Sequence, residues 1–162
     1  MILTRVSSIS FLACAALACG ASFAADPSGD YATDLGRVYG TYQVILAVKE
    51  ACEGAHADRA KPNQAAYAEW QKRHQALIEE LERHYTALVR GASTDAKDYA
   101  RNVGKYEGAL LASRQENQRQ FLAQDPKHVA QECRDFPAYL KSEDADLRKR
   151  HAEELKTIRK RK

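Results

Sequence analysis

The sequence predicts an all-α protein: an up-down-up-down four-helix bundle stapled by one disulfide, Cys52–Cys133, with its last helix kinked near Pro137. Three observations carry that expectation. Apolar residues recur at three- and four-residue steps, and no useful stretch alternates as a strand would. Capping and breaking residues divide the periodic sequence into four segments. The chain has 162 residues, 44% of them apolar and 29% charged, which is one domain's worth of globular sequence. That composition excludes a disordered chain and a multi-pass membrane protein, and the length excludes a scaffold as large as a TIM barrel.

Residues 1–24 read as a secretory signal. Arg5 supplies the positive start, residues 9–18 are apolar and uncharged, and Ser22-Phe23-Ala24 places small residues where a signal peptidase cuts. The apolar run is shorter than the ~20 residues a spanning helix needs. A mature single domain over 25–162 is therefore expected, with a periplasmic or secreted destination. An alternative places a lipid anchor on Cys19, which follows Ala16-Leu17-Ala18 in a lipobox-like pattern without the preferred first Leu. Loss of the leader removes Cys14 and Cys19. An exported chain left with Cys52 and Cys133 most simply pairs them, for on the order of 3–4 kcal/mol of stabilisation.

The first helix is expected over 35–53, with Leu35, Val38, Tyr42, Ile45, Leu46 and Cys52 on one stripe. Gly54 to Pro62 breaks it. The second is expected over 63–90, carrying Tyr67, Trp70, Leu77, Leu81, Tyr85 and Leu88, and Gly91 stops it. Ser93 or Thr94 caps the third, whose stripe is Tyr99, Val103, Tyr106, Leu110, Phe121 and Leu122. Asp125 caps the fourth with Pro126 at its first position. Pro137 kinks that helix, which resumes through Leu140, Leu147, Leu155 and Ile158.

No GxSxG elbow, P-loop, GxGxxG, HExxH or CxxCH occurs in the mature chain. No enzyme and no cofactor is expected. Two polar sites are candidates for a ligand. Glu53 and His56 close the first helix, His128 and Glu132 open the fourth, and the disulfide would gather all four as a divalent-metal site. Alternatively, Tyr67, Trp70 and His74 of the second helix would face Arg114 and Asn117, which interrupt the third helix's stripe. Those five residues would line a cleft for an anionic or amphipathic ligand. Gly36-x-x-x-Gly40 and Gly104-x-x-x-Gly108 notch two helices, as a close helix crossing would require.

Charge is uneven. Over 147–162 eight basic residues stand against Glu153 and Glu154, while the rest of the mature chain is mildly acidic. Lys156, Arg159, Lys160, Arg161 and Lys162 are the candidate electrostatic contact, on a helix end that also suits the negative pole of the macrodipole. The whole pattern reads as a small exported interaction module acting by binding, in the manner of an accessory protein, chaperone or inhibitor. Its expected partner is another exported or envelope protein. The basic end could also touch an anionic membrane surface, and no nucleic-acid partner is expected. The alternative is a periplasmic binder of a small ligand or a divalent metal.

Overall fold

The computed structural model describes residues 28–161, which are helical without a strand among them. The expected leader, its cleavage point and Cys19 lie outside the described residues. Six helices follow one another: α1 (Tyr31–Ala55), α2 (Ala57–Gly91), α3 (Ala96–Leu122), α4 (Pro126–Tyr139), α5 (Leu147–Arg150) and α6 (Ala152–Lys160).

Helices α1, α3 and α4 each start where a carboxylate satisfies free backbone N–H groups, whereas α2 starts at His56 without a side-chain cap. Asp30 accepts from the Thr33 amide, which starts α1 four residues earlier than the stripe alone suggested. Asp95, rather than Ser93 or Thr94, caps α3 by accepting from the Asp98 amide. Asp125 accepts from the Lys127 and His128 amides, with Pro126 at the first turn of α4 as expected. The long break expected between the first two helices does not form. Only His56 separates α1 from α2, and α2 runs on through Pro62. Pro62 lies within two turns of the α2 start, so its missing N–H forfeits a single bond near an end.

The packing centres on α1, which touches every other helix. Tyr31 meets His84 and Tyr42 stacks near Trp70, so α1 and α2 run in opposite senses. Gln43 meets Arg114 and Glu50 meets Gln118, so α3 runs in the same sense as α1. Cys52 and Cys133 are disulfide-bonded, with Cα atoms 5.3 Å apart, which fixes α4 to the far end of α1.

The expected fourth helix is three helices. Rather than bending at Pro137 and continuing, α4 passes through Pro137, ends at Tyr139, and gives way to a non-helical connection over 140–146. Asp146 then caps α5 by accepting from the Arg148 amide. Polar groups on α2 hold this connection in place. The Trp70 indole donates to the Ala145 carbonyl at 2.8 Å, and Arg73 donates to the Leu140 carbonyl at 2.7 Å. Arg148 donates in return to the Arg73 carbonyl.

Fully buried Trp70 lies at the centre of the main core, with Leu35, Val38 and Ile45 of α1, Leu77 and Leu81 of α2, and Phe136, Leu147, Leu155 and Ile158. Ala51, Phe121 and Val129 form a smaller cluster about the disulfide. The glycine pairs do not serve a close crossing. A methyl group at Gly36, Gly40, Gly104 or Gly108 would meet no neighbouring element within 4 Å.

Candidate functional site

Of the five residues expected to line one cleft, Tyr67, Trp70 and His74 stack on one another, while Arg114 turns to α1. Trp70 and His74 are buried and face the connection after α4. The His74 Nδ1 lies 2.9 Å from the Trp70 carbonyl, and its Nε2 lies 3.3 Å from the Asp146 carboxylate. Burial works against ionising Asp146, yet the Arg148 amide and the His74 ring hold its carboxyl below the ordinary range. Arg114 instead reaches α1, donating twice to Gln43 Oε1 at 2.6 and 3.1 Å and lying 3.7 Å from Glu50. Tyr67 is buried beside Trp70, and desolvation pushes its hydroxyl upward. Asn117 is half-buried on α3.

The expected metal ligands are likewise dispersed. Glu53 pairs with Lys49 at 2.9 Å, and His56 is taken up in the junction of α1 and α2. His128 and Glu132 lie 3.9 Å apart on the exposed side of α4. Among the described residues no group of three or more His, Cys, Asp or Glu side chains is placed to share a metal ion.

The basic end is docked rather than a free handle. Leu155 and Ile158 bury one face of α6 in the main core. Arg159 forms a bidentate pair with Glu80 at 2.7 and 2.9 Å, and Lys156 pairs with Glu153. Lys160 is exposed, and Lys162 lies outside the described residues. Arg161 sits over the Tyr31 ring, 4.5 Å from its centroid.

That last contact completes a cleft the sequence did not suggest. Tyr31, Arg83, His84, Ala87, Leu88, Gly91, Ala92 and Arg161 enclose about 520 Å³ between the start of α1, the end of α2 and the end of α6. The Tyr31 hydroxyl donates to the His84 carbonyl at 3.1 Å and lies equally close to His84 Nδ1. The sequence does not announce it because Tyr31 precedes the expected start of α1 and Arg161 belongs to the basic end expected to form an electrostatic contact with a partner. The signal present was Arg83-His84 at the exposed end of the second stripe.

A second feature lies on α3. Ala96, Ala100, Gly104, Gly108 and Ala112 follow at four-residue steps and are all exposed, as is Leu111 at 52%. Lys97, Arg101 and Lys105 stand beside them and are also exposed. Small residues at this spacing leave a shallow furrow along a helix.

Compared with known protein families, curated proteins and solved structures, the chain matches none.

Proposed function

We propose that this protein is exported and acts by binding another exported or envelope protein, rather than by catalysis, with the outer face of α3 as the contact. The observation that carries the reading is the imbalance of that helix: of its 27 residues only Phe121 is buried. The furrow over 96–112 offers a close seat for a helix, since glycine and alanine let two backbones approach. Leu111 supplies apolar area beside it. Lys97, Arg101 and Lys105 favour a partner helix with an acidic edge. Export is supported by the leader-like residues 1–24 and by the Cys52–Cys133 bond, which persists in an oxidising compartment.

The test is photo-crosslinking in cells that export the protein. A crosslinking amino acid replaces Gly108 or Leu111 on α3, with Glu69 on the exposed side of α2 as control. One discrete adduct to an envelope protein is expected from the α3 positions and not from Glu69. Gly104→Trp, which fills the furrow where nothing else is in contact, abolishes it. Equal adducts from both helices, or none, would sink the proposal.

A further inference from the structure

We infer that the cleft bounded by Tyr31, Arg83, His84 and Arg161 binds an anionic amphiphile: an oxyanion headgroup, carboxylate or phosphate, on an apolar body. The site lies at the pole away from the disulfide and uses none of the α3 face, so it stands independently of the interaction proposed above.

Charge gives the headgroup. Two guanidinium groups and an imidazole line the cleft, and among the described residues no carboxylate does. Among the described residues neither Arg83 nor Arg161 has an ion-pair partner within 4 Å, because the carboxylates that feel them are engaged elsewhere. Glu80 is held by both nitrogens of its bidentate pair with Arg159, and Asp30 caps α1 through the Thr33 amide at 2.8 Å. Two unpaired guanidinium forks about one cleft match the planar or tetrahedral oxygens of carboxylate and phosphate.

Position is fixed by Tyr31. Its ring carries the Arg161 guanidinium, and its hydroxyl gives its single proton to the His84 carbonyl. The His84 Nδ1 at 3.1 Å then donates to the Tyr31 oxygen, which holds the ring in the cleft wall and leaves the headgroup contacts to the two guanidinium groups. The end of a helix ordinarily repels anions through its free carbonyls. Here three of the last four of α2 are already satisfied: Leu88 by the Ala92 amide, Val89 by the Ser93 hydroxyl, and Arg90 by the Ser93 amide.

The floor gives the body. Ala87, Leu88, Gly91 and Ala92 present no polar side chain. A cleft of about 520 Å³ is of the size that takes small organic ligands, with room for a chain on the order of ten carbons.

Calorimetric titration of the full mature chain tests this with four probes: decyl phosphate and decanoate below their micelle concentrations, inorganic phosphate, and decyltrimethylammonium. One equivalent of either decyl anion is expected to bind, and the tighter of the two identifies the headgroup as phosphate or carboxylate. Arg83→Gln and Arg161→Gln should each weaken binding about tenfold, the loss of one charge-assisted contact, and Arg83→Lys should recover part of it. Ala87→Phe, on the exposed floor, should weaken the decyl anions and leave inorganic phosphate unchanged. Circular dichroism on each variant shows that the helices are kept. Three results would overturn the assignment: no binding by either decyl anion, decyltrimethylammonium binding as tightly, or affinity indifferent to both arginine changes. Inorganic phosphate binding as tightly as decyl phosphate would overturn the apolar half of it.

Discussion

Helices α1 and α3 are almost equal in length, 25 and 27 residues, and lie side by side in the same sense. Yet α1 buries nine residues, from Asp34 to Cys52, while α3 buries Phe121 alone. The first is held by a core, the second, apart from Phe121, by polar and ring-edge contacts: Arg114 to Gln43, Gln118 to Glu50, and the edge of Tyr106 on Tyr85. Exposed or half-exposed polar contacts of that kind are worth about 1 kcal/mol or less each. A buried leucine is worth several times more. The pair separates two things that helical periodicity merges: the ability to form a helix and the ability to dock it. α3 has the first in full and little of the second, which fits a segment of low local stability, the kind from which binding surfaces are drawn.

The comparison can be pressed hardest through the disulfide, which joins α1 to α4 and bypasses α3. Replacing Cys52 and Cys133 by Ser should cost about 4 kcal/mol, read by denaturant unfolding, because the bond closes a loop of 81 positions. An unchanged midpoint would mean the smaller core already fixes that end.

Next in size is a matched pair of leucines. Leu35→Ala in α1, at 1% exposure, should cost about 3 kcal/mol, and Leu111→Ala in α3 less than about 0.5. Similar losses at the two sites would erase the contrast.

A smaller effect comes from acid, and it falls on the α1–α6 seam. Burial holds His151 below its ordinary value of 6.5 despite Glu154, whose carboxylate is 3.4 Å from Nδ1. The folded state thus favours the neutral ring. Its stabilisation is present above pH 6.5 and fades as pH falls below that value. Burial opposes ionisation of Asp34, but the Ser28 hydroxyl and amide at 2.8 and 2.9 Å hold it below the ordinary 3.8. Its contribution is lost only in stronger acid, as pH falls through that lowered value. Melting temperature should fall from pH 8 to pH 5, and His151→Gln should flatten the profile. A slope that survives the substitution would place the titration elsewhere.

The smallest change should be a gain. Gly104→Ala and Gly108→Ala on α3 meet no obstacle, so each should stabilise by about 0.5–1 kcal/mol in thermal unfolding. A loss would mean the furrow is already in contact with something in solution.

Much of the helical layout was legible because its determinants are local. Asp125-Pro126 starts α4, Gly91 ends α2, and the stripes of α1 and α2 are buried except at Leu46, Tyr85 and Leu88, which are partly buried. Some differences are local, as at the Asp30 and Asp95 caps, but the largest is tertiary. Leu140 and Leu147 continue a helical period, but Trp70, Arg73 and His74 capture the backbone and Asp146 between them, and the helix yields. Those three residues lie 66 to 76 positions away, beyond any periodic signal. Trp70 and His74 were read as ligand groups for the same reason: an aromatic beside a histidine looks alike whether it meets a ligand or the chain's own carbonyls. The cleft at Arg83 and Arg161 joins three helix ends, and nothing in the spacing of one helix announces the other two.

The Cys52–Cys133 bond has one more consequence. It turns residues 52–133 into a covalent ring, and α2 and α3 are wholly inside it. If α3 swings away from α1 to take a partner, it does so as a tethered arm whose two roots stay in place. A protease cut in the exposed residues 94–97 would leave the pieces on one molecule until a reductant separates them. The long helix with a single buried residue is thus also one that a single cut cannot release.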